Sequence, residues 1–348
     1  MPQWAIAFFI AVGVILVSTP AVIFLANKTG AVDKPDARKV HTKPIPRIGG
    51  IGIYLAVSSA IILVSVISNF EGETLRTITG LLISGTLMFL VGIIDDYKNL
   101  PAKVKLLGQI LASSVLVVFY DVRVDFITDP FGDYIYLEWL AIPATLFWLV
   151  GLTNTVNLID GLDGLAAGVS GLAATTILLV AMEQHFFMIT ILTAALAGST
   201  LGFLFYNTNP ARIFMGDSGS LFLGFMLAAI SIIGAVKSAA TIALIVPILA
   251  LGIPILDTTF AILRRYLGGQ PIFKPDKGHL HHRLLSLGFT QRQAVLLMYV
   301  ISAMLGLSAV ALTEVSGQIA ALILLVVAFS IFYGARKLGI LTLVNSSR

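Results

Sequence analysis

The sequence has no cysteine. A disulfide framework and thiolate chemistry are thereby excluded, and no redox compartment is selected. Charge is also scarce: Asp, Glu, Lys and Arg make up 11% of the chain, against about 25% in a soluble domain. Apolar residues reach 57% and mean hydropathy is +0.97. A soluble globular protein is excluded, and the 348 residues carry no count of globular domains. The first apolar run, Gln3 to Ala26, has no basic residue before it. It also exceeds the roughly 7–15 residues of a signal-peptide core, so it reads as a membrane helix and not as a cleaved leader. No internal repeat is evident, and no hydrophilic stretch is long enough for a soluble domain.

What the chain does contain is apolar windows of about 20 residues, the length that crosses a hydrocarbon core of ~30 Å. Eleven are predicted, at 3–26, 50–68, 78–94, 101–120, 139–157, 165–182, 186–206, 219–236, 239–263, 293–313 and 318–335. The fold class is therefore an all-α polytopic membrane protein, one integral membrane unit over 1–348 with about eleven transmembrane helices. Of the 22 Lys and Arg, all but Arg76, Arg123 and Lys237 fall in alternate loops on one side. The positive-inside bias assigns that side to the cytoplasm, with the N-terminus outside and the C-terminus inside. The external loops are short and acidic. Loop 121–138, with Asp121, Asp125, Asp129, Asp133 and Glu138, reads as solvated.

Five polar clusters sit at cytoplasmic ends of these spans. Asp95-Asp96 closes the third span in "LVGIIDDYKNLPAKVKLLGQ". Two acids at a helix C-terminus oppose the macrodipole and call for a nearby cation. They are either a solvated end partnered by Lys98 and Lys105 or a metal or proton site. In "NTVNLIDGLDGLAAG", Asn154, Asn157 and Asp160 are spaced by three, so a helix carries them on one drifting face. Gly161, Asp163 and Gly164 complete a polar turn that is not an EF-hand. In "YNTNPARIFMGDSGSL", Asn207, Asn209, Arg212, Phe214 and Asp217 precede a new span. An amide, a guanidinium, a ring and a carboxylate beside a helix N-terminus suit a nucleotide, and an ordinary N-cap is the competing reading.

The fourth cluster, "KPDKGHLHHRLLSLGF", gathers His279, His281 and His282 with Arg264, Arg265, Lys274, Lys277 and Arg283. So much positive charge disfavours zinc and favours a polyanion such as a diphosphate. The fifth, loop 27–49, offers Lys43 and Arg47 to phosphate or to lipid headgroups. Asp257 lies inside the ninth span, where an acid is a functional candidate, with Arg264 or Arg265 as partner. Together the acids point to a cytoplasmic-face cleft where a soluble anion meets a lipid anion.

In this order, Asp95-Asp96-Tyr97, Asn154-x-x-Asn157-x-x-Asp160-Gly-x-Asp163-Gly, Phe214-Met-Gly-Asp217 and His279-x-His281-His282 resemble the polyprenyl-phosphate N-acetylhexosamine-1-phosphate transferases of bacterial envelope synthesis. The resemblance runs from loop 27–49 to His282. It implies ten or eleven helices around a cytoplasmic cleft in the bacterial cytoplasmic membrane, Mg2+ dependence with Mn2+ as the alternative, and a UDP-amino-sugar donor. It is closest to the branch that moves GlcNAc-1-phosphate from UDP-GlcNAc to undecaprenyl phosphate and so starts teichoic acid linkage units or other envelope glycans. The sister branch, which uses UDP-MurNAc-pentapeptide, typically has Thr-Pro-Thr-Met-Gly-Gly where this chain has Ile45-Pro-Arg-Ile-Gly-Gly50, and three consecutive histidines where it has His281-His282-Arg283. The resemblance implies Asp217 as principal metal ligand. Asp95 and Asp96 are expected to orient the acceptor phosphate, act as base or hold metal. Asn154, Asn157, Asp160 and Asp163 are expected to contact nucleotide and sugar, Phe214 to stack on uracil, and Asn207 to add hydrogen bonds. Lys43, Arg47, Lys105, His279, His281, His282 and Arg283 are expected at the phosphates. Direct attack and an aspartyl-phosphate path both fit. No nucleic-acid partner is expected, and a homodimer is the assembly considered. The rival class is an ion-coupled transporter or lipid flippase, whose sites lie near the midplane between repeats.

Overall fold

The computed structural model describes residues 1–33, 44–128, 134–237, 242–270 and 278–337. It is almost wholly helical. The first eight helices are α1 (Gln3–Thr29), α2 (Gly50–Ile67), α3 (Gly72–Lys98), α4 (Ala102–Ser114), α5 (Ala141–Ile159), α6 (Leu165–Glu183), α7 (Phe187–Asn207) and α8 (Gly216–Lys237). They are followed by α9 (Ile242–Ala250), α10 (Gly252–Leu267), α11 (Leu280–Ser286), α12 (Gln291–Glu314) and α13 (Gly317–Lys337). One π-helical turn, Val115–Phe119, prolongs α4. Two short antiparallel pairs add β1 (Val32–Asp33) to β2 (Ile45–Pro46), and β3 (Phe126–Thr128) to β4 (Tyr134–Tyr136).

Among the described residues, ten helices are long and apolar enough to cross a membrane. They match ten of the eleven expected windows. The ninth window differs, because it is split between α9 and α10 at Leu251. Pro254 follows Gly252 closely and has no N–H to continue the ladder, so it is accommodated in the first turn of a new helix. At 16 residues, α10 is shorter than the ~20 a crossing needs.

α8 is the central helix. In its span 89% of residues are buried, against 6% in α13 at the periphery. Lipid tails supply no hydrophobic drive between helices, so packing depends on small residues that let backbones approach. A Cβ added at Gly50 of α2 would lie 2.1 Å from Gly219 N, and one at Gly92 of α3 would lie 2.5 Å from Asp217 O. These two glycines bring α2 and α3 onto the first turn of α8. Their positions therefore decide where the polar residues of the bundle meet.

Gly92→Leu is expected to separate α3 from α8 and lower the thermal unfolding midpoint in detergent by about 5 °C or more. Gly151→Ala, where nothing lies within 4 Å of the new methyl, is the matched control and is expected to be neutral or mildly stabilising.

Candidate active site

The site is built outward from the first turn of α8. Its backbone N–H groups, those of Asp217 and Ser218, donate to Asp96 Oδ1 at 2.8 Å and Oδ2 at 3.1 Å, and Ser218 Oγ donates to Oδ2 at 2.6 Å. Asp96, near the end of α3, is a buried cap for α8. The positive end of α8 thus supplies what an acid at a helix C-terminus lacks. Arg47 in turn donates to the Asp96 carbonyl and, at 3.4 Å, to Asn99 Oδ1, closing the end of α3. Gly216 starts α8 with φ +68°. A Cβ there would meet Arg47 O at 2.0 Å and Asp96 Oδ1 at 2.6 Å, so only glycine fits.

Lys105 of α4 provides the next cation. Its Nζ lies 2.9 Å from Asp95 Oδ2 and 3.0 Å from Asp217 Oδ2, and donates to Asn157 Oδ1 at 3.1 Å. Asp95 Oδ1 accepts from Leu100 N at 2.6 Å, so both oxygens of this buried acid are engaged. Asn157 donates to Asp217 Oδ1 and to Ser220 Oγ. The Asp217 side chain nevertheless keeps 33% exposure, which leaves it the open face of this cluster.

The α5–α6 junction forms the opposite wall. Asp160 ends α5 and Gly164, at φ +79°, begins α6. Asp163 Oδ2 accepts from Asn209 Nδ2 at 2.9 Å and Ala211 N at 3.1 Å, bracing the loop before α8. Asn207 accepts from Gly164 N and donates to Ile213 O, at 3.1 and 2.8 Å. The start of α12 clamps the same loop: Asn209 Nδ2 donates to Gln291 Oε1 at 3.0 Å, and Arg292 donates to Asn209 O at 2.9 Å. Asp160 is treated differently from its neighbours. It is half-buried, and among the described residues no hydrogen bond or ion pair holds its carboxylate. Burial first, then the negative charges of Asp217, Asp96 and Asp163, push it up to about 8.

These residues enclose a pocket of about 840 Å³, within the ~300–1,000 Å³ typical of ligand sites. Asp96, Asp160, Asp163 and Asp217 make it acidic, Arg47, Arg212 and His282 add basic groups, and Phe214 adds an aromatic ring. Asp33, Pro44 and Ile45 of the β1–β2 region complete it. Among the described residues, no group of three or more His, Asp or Glu is set to hold a metal ion.

Most of the residues expected from the sequence do converge here, with exceptions. Asn154 does not line the pocket. One turn deeper than Asn157, its amide pairs reciprocally with the buried Gln109, at 3.1 and 2.7 Å. Asp95 and Lys105 stand behind Asp217 and not in the wall. His279 turns away to Asp257, with Nδ1 3.0 Å from Oδ2, although Arg264 and Arg265 were the expected partners of that acid. His281 is buried against Gly161, and among the described residues its Nδ1 has no hydrogen-bond partner. Burial first, then the neighbouring His282, push its imidazole down to about 4, so it is neutral at pH 7 and brings no positive charge to a diphosphate. Of the described histidines, only His282 reaches the pocket wall, and Arg283 is not part of it. Lys43, Lys274 and Lys277 lie outside the described residues. Gln109, Gln291 and Arg292 went unnoticed in the sequence. Gln109 lies mid-way along the fourth span and Gln291 and Arg292 at the start of α12, and no motif marks them.

The glycosyl transferase family 4 model matches residues 78–235. A probable undecaprenyl-phosphate N-acetylglucosaminyl 1-phosphate transferase of Bacillus subtilis is 43% identical over 313 residues, covering 90% of this chain and 86% of the relative. The chain belongs to glycosyl transferase family 4. A decaprenyl-phosphate N-acetylglucosaminephosphotransferase of Mycolicibacterium smegmatis is 39% identical over 299 residues, 79% of this chain and 73% of the relative. A phospho-N-acetylmuramoyl-pentapeptide-transferase of Listeria monocytogenes is 33% identical over 298 residues, 81% of this chain and 88% of the relative. Membership of family 4 makes the chain a transferase and sets aside the transporter and flippase reading. The segment matching the family model holds Asp95, Asp96, Lys105, the α5–α6 junction and Asp217. It leaves out α11 and α12, which close the pocket.

An acid whose folded pKa lies above its unfolded value binds more protons folded, so stability falls as pH rises. For Asp160 that window runs from 3.8 to about 8. Asp160→Asn is therefore expected to unfold at a higher temperature than the parent at pH 8 in EDTA, by about 3 °C or more. The gap narrows toward pH 5. Thermal melts at both pH values check the sign.

Proposed function

We propose that this protein transfers GlcNAc-1-phosphate from UDP-GlcNAc to undecaprenyl phosphate, giving undecaprenyl-diphospho-GlcNAc and UMP. The observation that carries the reading is the crowding of Asp160 and Asp217 in a nucleotide-sized pocket that also contains Arg47, Arg212 and His282. The names of the more similar relatives support GlcNAc over MurNAc-pentapeptide as the sugar. The site is read as facing the cytoplasm of a bacterial cell, with the N-terminus outside, and α9 with α10 as a broken eleventh crossing. The product would serve as the first lipid intermediate of a teichoic acid linkage unit or another envelope glycan.

In the reaction an oxygen of the lipid phosphate forms a bond to the sugar-bearing phosphorus of the donor. The bond from that phosphorus to the bridging oxygen breaks, and UMP leaves with the electron pair. The acceptor needs little base assistance, because a phosphate monoester has its second pKa near ~6. The obstacle is repulsion between two anions. The acids present fit Mg2+, which takes one or two carboxylates and completes its shell with water and phosphate oxygens. Asp217 is the assigned ligand, with Asp160 beside it, and Mn2+ is the alternative ion. Bound there, the metal would supply charge neutralisation for the diphosphate and the leaving UMP. Lys105 holds Asp217 in place and adds positive charge behind it. Arg47 and His282 face the phosphates, and Phe214 offers a ring for uracil. Asp96 acts by fixing the first turn of α8, and Asp95 by holding Lys105.

The test is UMP release by purified protein in detergent with undecaprenyl phosphate and Mg2+. UDP-GlcNAc is expected to turn over at least about tenfold faster than UDP-GalNAc or UDP-MurNAc-pentapeptide. EDTA is expected to abolish release, and Asp217→Asn to reduce it by about a thousandfold. No UMP from UDP-GlcNAc would overturn the reading, and an Asp217→Asn rate within about tenfold of the parent would remove its metal role.

A further inference from the structure

Asp257 is a buried acid that the proposed chemistry does not use. It sits on α10, the second half of the split ninth window, and is 6% exposed. Both its oxygens hold one short segment. Oδ2 lies 3.0 Å from His279 Nδ1, and Oδ1 accepts from Leu280 N at 2.7 Å. Two turns along α10, Arg264 makes a second contact with that segment: a Cβ added at Gly278 would lie 2.4 Å from its guanidinium nitrogen. One face of α10 therefore holds the segment through Asp257 and packs against it at Arg264.

Beyond those points the histidines stack. The His279 and His281 rings lie 5.8 Å apart and nearly parallel, and His281 and His282 lie 4.3 Å apart. His281 abuts Gly161, where a Cβ would approach Nε2 to 2.6 Å. Gly161 follows Asp160, and His282 and Leu285 line the pocket. A continuous packed path thus runs from Asp257 to Asp160.

We propose that Asp257 and His279 are positioning residues that act as one unit, setting the His281–His282 wall against the Asp160–Gly161 turn for donor binding. His279 then serves as a held donor to Asp257 and touches no substrate. This deepens the transferase reading and rests on it.

The test is steady-state kinetics of purified variants with UDP-GlcNAc, undecaprenyl phosphate and Mg2+, paired with hydrogen exchange of residues 278–287. Asp257→Leu is expected to raise KM for UDP-GlcNAc at least about tenfold, the scale of one or two lost buried hydrogen bonds, while kcat changes less than about threefold. A variant that only folds poorly would lose apparent kcat at unchanged KM. His279→Leu is expected to repeat the KM rise, and Asp257→Leu with His279→Leu to be no worse than either alone. His279→Asn, whose amide donates from near the Nδ1 position, is expected to stay within about threefold of the parent KM. Asp257→Asn keeps one acceptor oxygen and serves should Asp257→Leu not fold, with a smaller rise in the same direction. Parent-like KM in the Asp257 variants would overturn the inference. So would a His279→Asn variant as impaired as His279→Leu, which would put the imidazole itself on the substrate. If the parent releases no UMP, the transferase reading fails, and the exchange of the Leu280 amide alone decides the inference. Faster exchange in the Asp257 variant supports it, and unchanged exchange sinks it.

Discussion

At the first turn of α8, backbone N–H groups deep in the bundle have no partner in their own helix. The carboxylate of Asp96 supplies it from the end of α3. Ser218 is buried, and a buried amide left unpaired is costly. The contact also sets against the positive end of α8 an acid that opposes its own helix dipole. It demands close approach, which Gly50, Gly92 and Gly216 permit by having no Cβ. Once α2, α3 and α8 meet in this way, Asp217 is fixed at the pocket, and Lys105 and Asn157 have a defined place to bind it.

The acids around this point are not equivalent. Asp95 is balanced by Lys105, Asp96 by the α8 amides, and Asp163 by Asn209 and the Ala211 N–H. Asp160 is balanced by nothing among the described residues and stands within the field of Asp217, Asp96 and Asp163. A fold selected only for stability would have an amide there. Sites for cations and polyanions are where such discomfort is kept, because the bound ligand relieves it.

Among the described residues, the split of the ninth window reaches the pocket only through α11, whose His282 and Leu285 line it. The break at Leu251 frees α10 to follow its own direction, and Asp257 meets His279 and the first amide of α11. Non-helical backbone at membrane depth is tolerated where it is buried in protein, and Leu251 at the break is fully buried.

The sequence by itself determined the class of the molecule. Hydropathy marked the ten helices that, among the described residues, are long and apolar enough to cross a membrane, since a hydrocarbon core leaves few alternatives to a helix of about 20 apolar residues. Residue chemistry and order, with the family resemblance they carry, point to Asp217, Asp160, Asp163 and Asn157 together, and all four line one pocket. Only tertiary structure decided which polar residues face the ligand and which face each other. Asn154 and Asn157 share a spacing, yet one turn of α5 gives the first to Gln109 and the second to Asp217. His279, His281 and His282 share a motif, yet one is held by Asp257, one is buried and neutral, and one reaches the pocket. These outcomes depend on contacts 20 to 120 residues apart in the chain. Local pattern carries no record of such contacts, because the same side chain serves ligand or fold according to what the packing brings beside it.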